Sequence, residues 1–117
     1  MKIEIKPESW FPSVIFHCEI DTKFCDELEK KVLIDKDKWK RELLNVHALT
    51  TGWSGLKQYP ELQDLSKFIC ENVLPKIGET QRWKYNNWNT NEAWINFYQK
   101  GDSAKMHTHG IADFCGI

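Results

Sequence analysis

No part of this 117-residue chain is apolar for long. Met1 to Glu8 alternates apolar and charged residues where a signal peptide would need an apolar run, and nothing approaches the roughly 20 apolar residues of a membrane-spanning helix. Charge of one sign is also lacking. Lys and Arg number 16 against 17 Asp and Glu, for a net charge of -1, so the chain offers no electrostatic footprint for nucleic acid or an anionic membrane. Cysteine is sparse and scattered: Cys18, Cys25, Cys70 and Cys115 form no Cys-x-x-Cys pair and each has apolar neighbours. That pattern fits buried reduced thiols better than a disulfide framework or a zinc knuckle, and a reducing cytoplasm is the expected home, although the even count also permits disulfides. Repeats, low-complexity tracts and linkers are absent, so residues 1–117 are expected to form a single domain with one modest core. What is plentiful is aromatic surface. Fifteen aromatics, six of them Trp, with 41% hydrophobic and 28% charged residues, describe a globular chain and not a disordered one.

Taken in order, Lys2 to Lys6 reads as a short half-buried strand ended by Pro7, and Trp10-Phe11-Pro12 as a turn. Val14 to Ile20 reads as a second strand. Asp21 is placed to cap a helix of about three turns, in which Phe24, Leu28 and Val32 form the apolar stripe, with Asp26 and Glu27 early and Lys30 and Lys31 late. The charged run Asp35 to Glu42 reads as a solvated loop or frayed helix docked by Trp39, and His47 to Leu56 as an irregular stretch of the kind that lines sites. Pro60 opens a second helix with Leu62, Leu65, Phe68, Ile69 and Val73 on one face; Pro75 kinks or ends it, and Gly78 is a stop signal. Gln81 to Asn91 is expected to form a strand and a turn. Its aromatics, with Arg82 and Lys84 beside them, could stack on nucleobases, but without a positive field packing is the better account. Beyond Glu92 the pattern is β, with Ala93, Ile95 and Phe97 alternating against Trp94, Asn96 and Tyr98. Lys105 to His109 reads as the next strand and Phe114 to Ile117 as the start of another.

The chemistry-bearing stretch is Tyr98-x-x-Gly101-x5-His107-Thr108-His109. On an extended segment, positions i and i+2 share a face and lie about 7 Å apart, so both imidazoles can converge on one metal ion while Thr108 faces away. A helical metal pair would need i and i+4 instead, as in His-Glu-x-x-His. The same two histidines could equally be solvated on a surface strand, and the residues alone leave both readings open.

With these residues in view, the chain resembles the iron- and 2-oxoglutarate-dependent oxygenases of the double-stranded β-helix (jelly-roll) fold, and more narrowly a small subgroup found in marine bacteria and their phages. Three pieces carry the resemblance, from about Leu49 to the end. Gly52-Trp53-Ser54 ahead of the Leu62-Leu65-Phe68 helix resembles a Gly-Trp-x-Ser element. Trp94-Ile95-Asn96 resembles a Trp-x-Asn strand, and Gly101 to His109 leading to Phe114-Cys115-Gly116 resembles a Gly…His-x-His…Ser-Gly-Val-Tyr-Tyr run. The resemblance implies an α+β fold in which N-terminal strands and two helices lead into a partial jelly roll. It also implies Fe(II) as cofactor, 2-oxoglutarate as co-substrate, and a small molecule or peptide as substrate.

Tyr98-x-x-Gly101…His107-x-His109 is similar to the prolyl-hydroxylase-like Tyr-x-x-Gly…His-x-Asp pattern, in which His and Asp are two members of a facial triad on Fe(II). Carried over, His107 takes the histidine position and His109 falls where the acid is expected; either His109 ligates as an imidazole or Asp113 supplies the carboxylate. Asn96 and Tyr98 are implied as hydrogen-bond partners of the co-substrate or of the ligands, with strand packing and turn chemistry the equal alternative. No residue is assigned as a catalytic acid or base. A complete jelly roll has about eight strands, a distal His and an Arg or Lys for the far carboxylate of 2-oxoglutarate, all beyond position 117. The expectation is therefore the front half of an oxygenase. The alternative is a noncatalytic β-rich module that forms a homo-oligomer through an exposed C-terminal strand.

Overall fold

Helix formation begins at Asp21. In the computed structural model, which describes residues 3–10, 13–109 and 114–116, the Asp21 carboxylate accepts the Lys23 N–H at 2.8 Å and caps α1 (Thr22–Asp35). Phe24 and Leu28 are half-buried and Val32 is buried along the predicted stripe. The helix runs further than its charges suggest. Lys30 and Lys31 lie inside it, not at its C-terminal end, and Lys31 reaches across to an ion pair with Glu61.

The charged run after α1 becomes a 3-10 turn (Lys36–Lys38) and then a strand, β3 (Lys40–Leu43), which pairs antiparallel with β4 (Val46–Thr50). The irregular stretch expected from His47 onward is thus corrected. Its first four residues belong to the central strand of a four-stranded sheet, with β3 on one side and both β5 (Asn96–Phe97) and β6 (Ser103–Ala104) on the other. Small residues misled the reading. Ala48 is fully buried and Thr50 only 2% exposed, because a strand covered on its faces takes compact side chains as readily as branched ones.

Gly52–Ser54 forms a 3-10 turn into α2 (Gly55–Gln58), and Pro60 opens α3 (Pro60–Phe68) at a position where its missing N–H costs nothing. Pro75 kinks the helix without ending it. It has no N–H to offer the carbonyl four residues back and its ring crowds that carbonyl, and the ladder widens into a π-helical turn (Ile69–Val73) before α4 (Leu74–Gln81) resumes. Nor does Gly78 stop the helix. The end is three residues later, with Arg82 left-handed at φ 55° and the Trp83 N–H donating to the Gly78 carbonyl at 2.9 Å. Gly78 instead makes room for the returning chain: a Cβ there would lie 2.1 Å from Asn86 Oδ1 and 2.9 Å from the Trp83 ring.

The buried centre is small. Val32, Tyr59 and Leu62 form it, with Leu28, Trp39, Leu56, Leu65 and Ile95 packed around them. Trp39 docks its segment as expected, donating from Nε1 to Tyr59 Oη at 3.0 Å with the rings edge to face.

Outside this centre stands an antiparallel ribbon of β1 (Ile5–Trp10) and β2 (Ser13–Cys18), in register from Ile5↔Cys18 to Trp10↔Ser13. Pro7 does not end the first strand but sits within it, and the second ends at Cys18, not at Ile20. Of the predicted turn, Phe11 and Pro12 lie outside the described residues. The C-terminal third is also less regular than its alternation predicts. Residues 83–95 carry no strand, β5 is two residues long, and the strand expected over Lys105 to His109 stops at Ala104. Residues 114–116 form no strand either, because Phe114 packs its ring 4.8 Å from Trp83 and 5.6 Å from Trp88. Ile117 lies outside the described residues. The fold is α+β, with helices and two small antiparallel sheets.

Candidate metal centre

The segment that carries the two histidines is fixed on its N-terminal side. At its start, the Gln99–Asp102 turn has Gly101 at φ 93°, a backbone state open to glycine, and closes with the Asp102 N–H donating to the Gln99 carbonyl at 2.9 Å. The Asp102 side chain is only 4% exposed. Its Oδ2 accepts the Gln99 N–H at 2.8 Å and its Oδ1 accepts Arg41 Nη2 at 2.5 Å, which ties the turn to β3. Pairing of β6 with β4 follows, and then the Lys105 N–H donates to the Asn45 carbonyl at 2.7 Å. Beyond that bond the backbone leaves the sheet, so His107 and His109 are not on a β-strand.

They nevertheless come together. Their ring centroids are 5.0 Å apart, with planes inclined by 39°. His107 Nδ1 lies 2.7 Å from the Lys105 carbonyl; a carbonyl can only accept, so Nδ1 carries the proton and Nε2 keeps its lone pair. That is the hydrogen bond by which ligating histidines commonly fix their tautomer. His109 lies parallel to Trp94, at 7° and 5.7 Å between centroids, which sets its ring plane. Both rings are exposed.

Does the pair suit a metal? An imidazole nitrogen about 2.1 Å from a metal puts the ring centroid about 3.2 Å away, so two rings in cis positions stand about 4.5–5.2 Å apart. The observed 5.0 Å falls in that interval. A facial triad needs a third donor, and no group of three or more His, Cys, Asp or Glu suited to a metal ion exists among the described residues. Asp113 lies outside the described residues. The two rings are therefore spaced as two ligands of one ion would be, and the described residues bring no third donor to them.

Asn96 lies in β5 and Tyr98 just beyond it, close in sequence to the Trp94 ring on which His109 stacks. Asn96 pairs with Thr50, and its Oδ1 is sealed from solvent with no hydrogen-bond partner among the described residues. A buried amide oxygen without a donor costs about 1–3 kcal/mol, so a missing donor is the simplest account of it. Tyr98 is 47% exposed beside it. Sequence reasoning missed Arg41 and Asp102. The charged run around Arg41 reads as solvent-facing, and only the strand made there brings it to the turn.

The other two histidines are elsewhere. His17 Nε2 lies 3.3 Å from Glu8 on the ribbon, and His47 Nδ1 lies 3.4 Å from Glu42 across β3 and β4. An open groove of about 390 Å³ lies between α3 and the 88–90 segment, lined by Ser66, Cys70, Trp88 and Thr90 among others, and neither His107 nor His109 belongs to it. Trp88 lines this groove, whereas Trp94 meets His109 and Trp53 is 56% exposed. All four cysteines are free. No helix among the described residues is long and apolar enough to cross a membrane. Compared with known proteins, the chain matches no family model, no curated protein and no solved structure.

Proposed function

We propose that the chain is a metal-binding protein of Fe(II)/2-oxoglutarate-dependent oxygenase kinship, related to the jelly-roll enzymes. The observation that carries this reading is the meeting of the His107 and His109 rings at 5.0 Å, with His107 already in the tautomer that frees Nε2. His107 and His109 would hold the iron together with a third donor, assigned to Asp113. Bound iron supplies oxygen activation driven by decarboxylation of the co-substrate. The chain's own residues bind and orient. Trp94 holds the His109 plane, and Arg41 and Asp102 hold the turn from which the histidines hang. Asn96 and Tyr98 would meet the co-substrate or orient the ligands.

Anaerobic titration with Fe(II) and 2-oxoglutarate tests this. The expected result is the weak visible charge-transfer band of a chelated co-substrate, lost in a His107→Ala/His109→Ala variant. Absence of the band in the unaltered chain, or its survival in the double variant, would remove the oxygenase reading.

A further inference from the structure

The N-terminal ribbon has two unequal edges. The outer edge of β1 carries Lys6, Pro7 and Glu8, and charged residues with a proline that cannot donate are how an edge strand is kept from pairing. β2 has no such protection: Ser13-Val14-Ile15-Phe16-His17-Cys18 contains no proline, glycine or lysine. The register adds the direction of its hydrogen-bonding groups. Pro7 faces Phe16, and a proline is accommodated without loss where its nitrogen points away from the partner strand. Pro7 and Phe16 are then a non-hydrogen-bonded pair. By alternation Val14, Phe16 and Cys18 turn their N–H and C=O groups away from β1, along an edge with no partner strand among the described residues.

The ribbon also lacks support. Among its residues with described side chains, none belongs to the buried core or packs against it, and a lone two-stranded hairpin is marginal in water. Its faces differ, with Ile5, Pro7, Val14, Phe16 and Cys18 on one and Lys6, Glu8, Ile15 and His17 on the other. Val14 and Ile15 are 42% and 47% exposed. The chain as a whole exposes 9349 Å². A compact monomer of 13.8 kDa exposes about 6,600 Å² by the usual size scaling, which leaves roughly 2,700 Å² in excess. A stable dimer needs only about 800 Å² from each partner.

We propose that β2 pairs with the β2 of a second copy of this chain, antiparallel about a two-fold axis, to give a four-stranded sheet with the β1 strands outermost. The free edge satisfies itself. Two-fold pairing is self-complementary, β2 brings no Lys, Arg, Asp or Glu side chain to it, and the blunted β1 edges end the sheet at four strands. In a continuous sheet the two apolar faces lie on the same side and extend one another, while the His17–Glu8 pairs stay on the opposite side. The proposal does not depend on the metal reading.

Sedimentation equilibrium of the full chain, from low to high micromolar, tests it. The expected mass is twice 13.8 kDa. Val14→Pro removes an N–H that β1 does not use, as Pro7 does on the other strand, and Ile15→Lys adds a charge to the free edge; each is expected to give monomer where the unaltered chain is dimer. Amide exchange is the second readout, with the Val14 and Phe16 amides protected more strongly as concentration rises. A monomer at every concentration would overturn the proposal and leave the edge to another occupant. A dimer that survives both substitutions, with Val14 and Phe16 exchange independent of concentration, would place the contact elsewhere and overturn it too.

Discussion

Residues 22–81 and residues 83–116 are held in place by different means. The first stretch is built of backbone ladders, α1 to α4 with β3 and β4, around the buried Val32, Tyr59 and Leu62. The second has four described residues in strands and a few single backbone bonds, such as Thr51 N–H to the Ile95 carbonyl and Lys105 N–H to the Asn45 carbonyl, and is otherwise pegged by side chains: Asp102 to Arg41, His109 to Trp94, Phe114 to Trp83 and Trp88, and the hydroxyl of Ser66 to that of Thr90. The candidate metal ligands belong to the pegged stretch. Stability and site geometry are thus carried by separate parts, and substitutions should tell them apart.

The largest effect is expected from Leu62→Ala. Removing a buried leucine from so small a core should cost roughly 2–5 kcal/mol, read as a lower urea midpoint of the helical circular dichroism. Arg41→Ala should divide the two stretches instead. It leaves the nearly buried Asp102 carboxylate with only the Gln99 N–H, a loss of about 1–3 kcal/mol that falls on the turn. The expected readout is weaker Co(II) binding with the helical transition little moved; an equal loss in both would mean that the two regions are one cooperative unit.

Leu44→Asn sharpens the comparison from the stabilising side. Leu44 is 72% exposed and sits at φ 51°, where a leucine is strained, so asparagine should raise stability by about 0.5–1 kcal/mol with metal binding unchanged. The smallest effect is at Cys18, whose thiol is pushed above its ordinary value by burial first and by Glu19 second. A thiol whose folded pKa is raised contributes its stability below the unfolded pKa and loses it as pH climbs through the folded one, so the penalty is alkaline. Cys18 should react with iodoacetamide more slowly than the exposed Cys25 and Cys115, as peptide mass spectrometry would show; equal rates would contradict the shift.

How much of this was legible in the sequence follows the same division. Helices announce themselves by period and caps, and Asp21, the Phe24-Leu28-Val32 stripe and Pro60 all mark what they were read to mark. Strand β4 was missed because Ala48 and Thr50 look like loop residues until one sees what covers them. Gly78 was read as a stop although its role is close packing under Asn86 and Trp83, a contact between residues eight and five positions apart that no local rule encodes. The C-terminal alternation suggested strands, whereas Phe114 joins Trp83 and Trp88 in a cluster. The two imidazoles are near one another, but not by the strand geometry that the spacing suggests. They meet without a strand beneath them, held by the Lys105 carbonyl and the Trp94 ring.

The most direct test is long-range proton–nitrogen correlation NMR of the four histidine side chains during titration with Zn(II). The account predicts that His107 and His109 shift together and saturate at one metal per chain, with His107 bound through Nε2 and protonated at Nδ1, while His17 and His47 stay where they are. If only one ring responded, or all four responded alike, the two imidazoles would not be gripping a common ion.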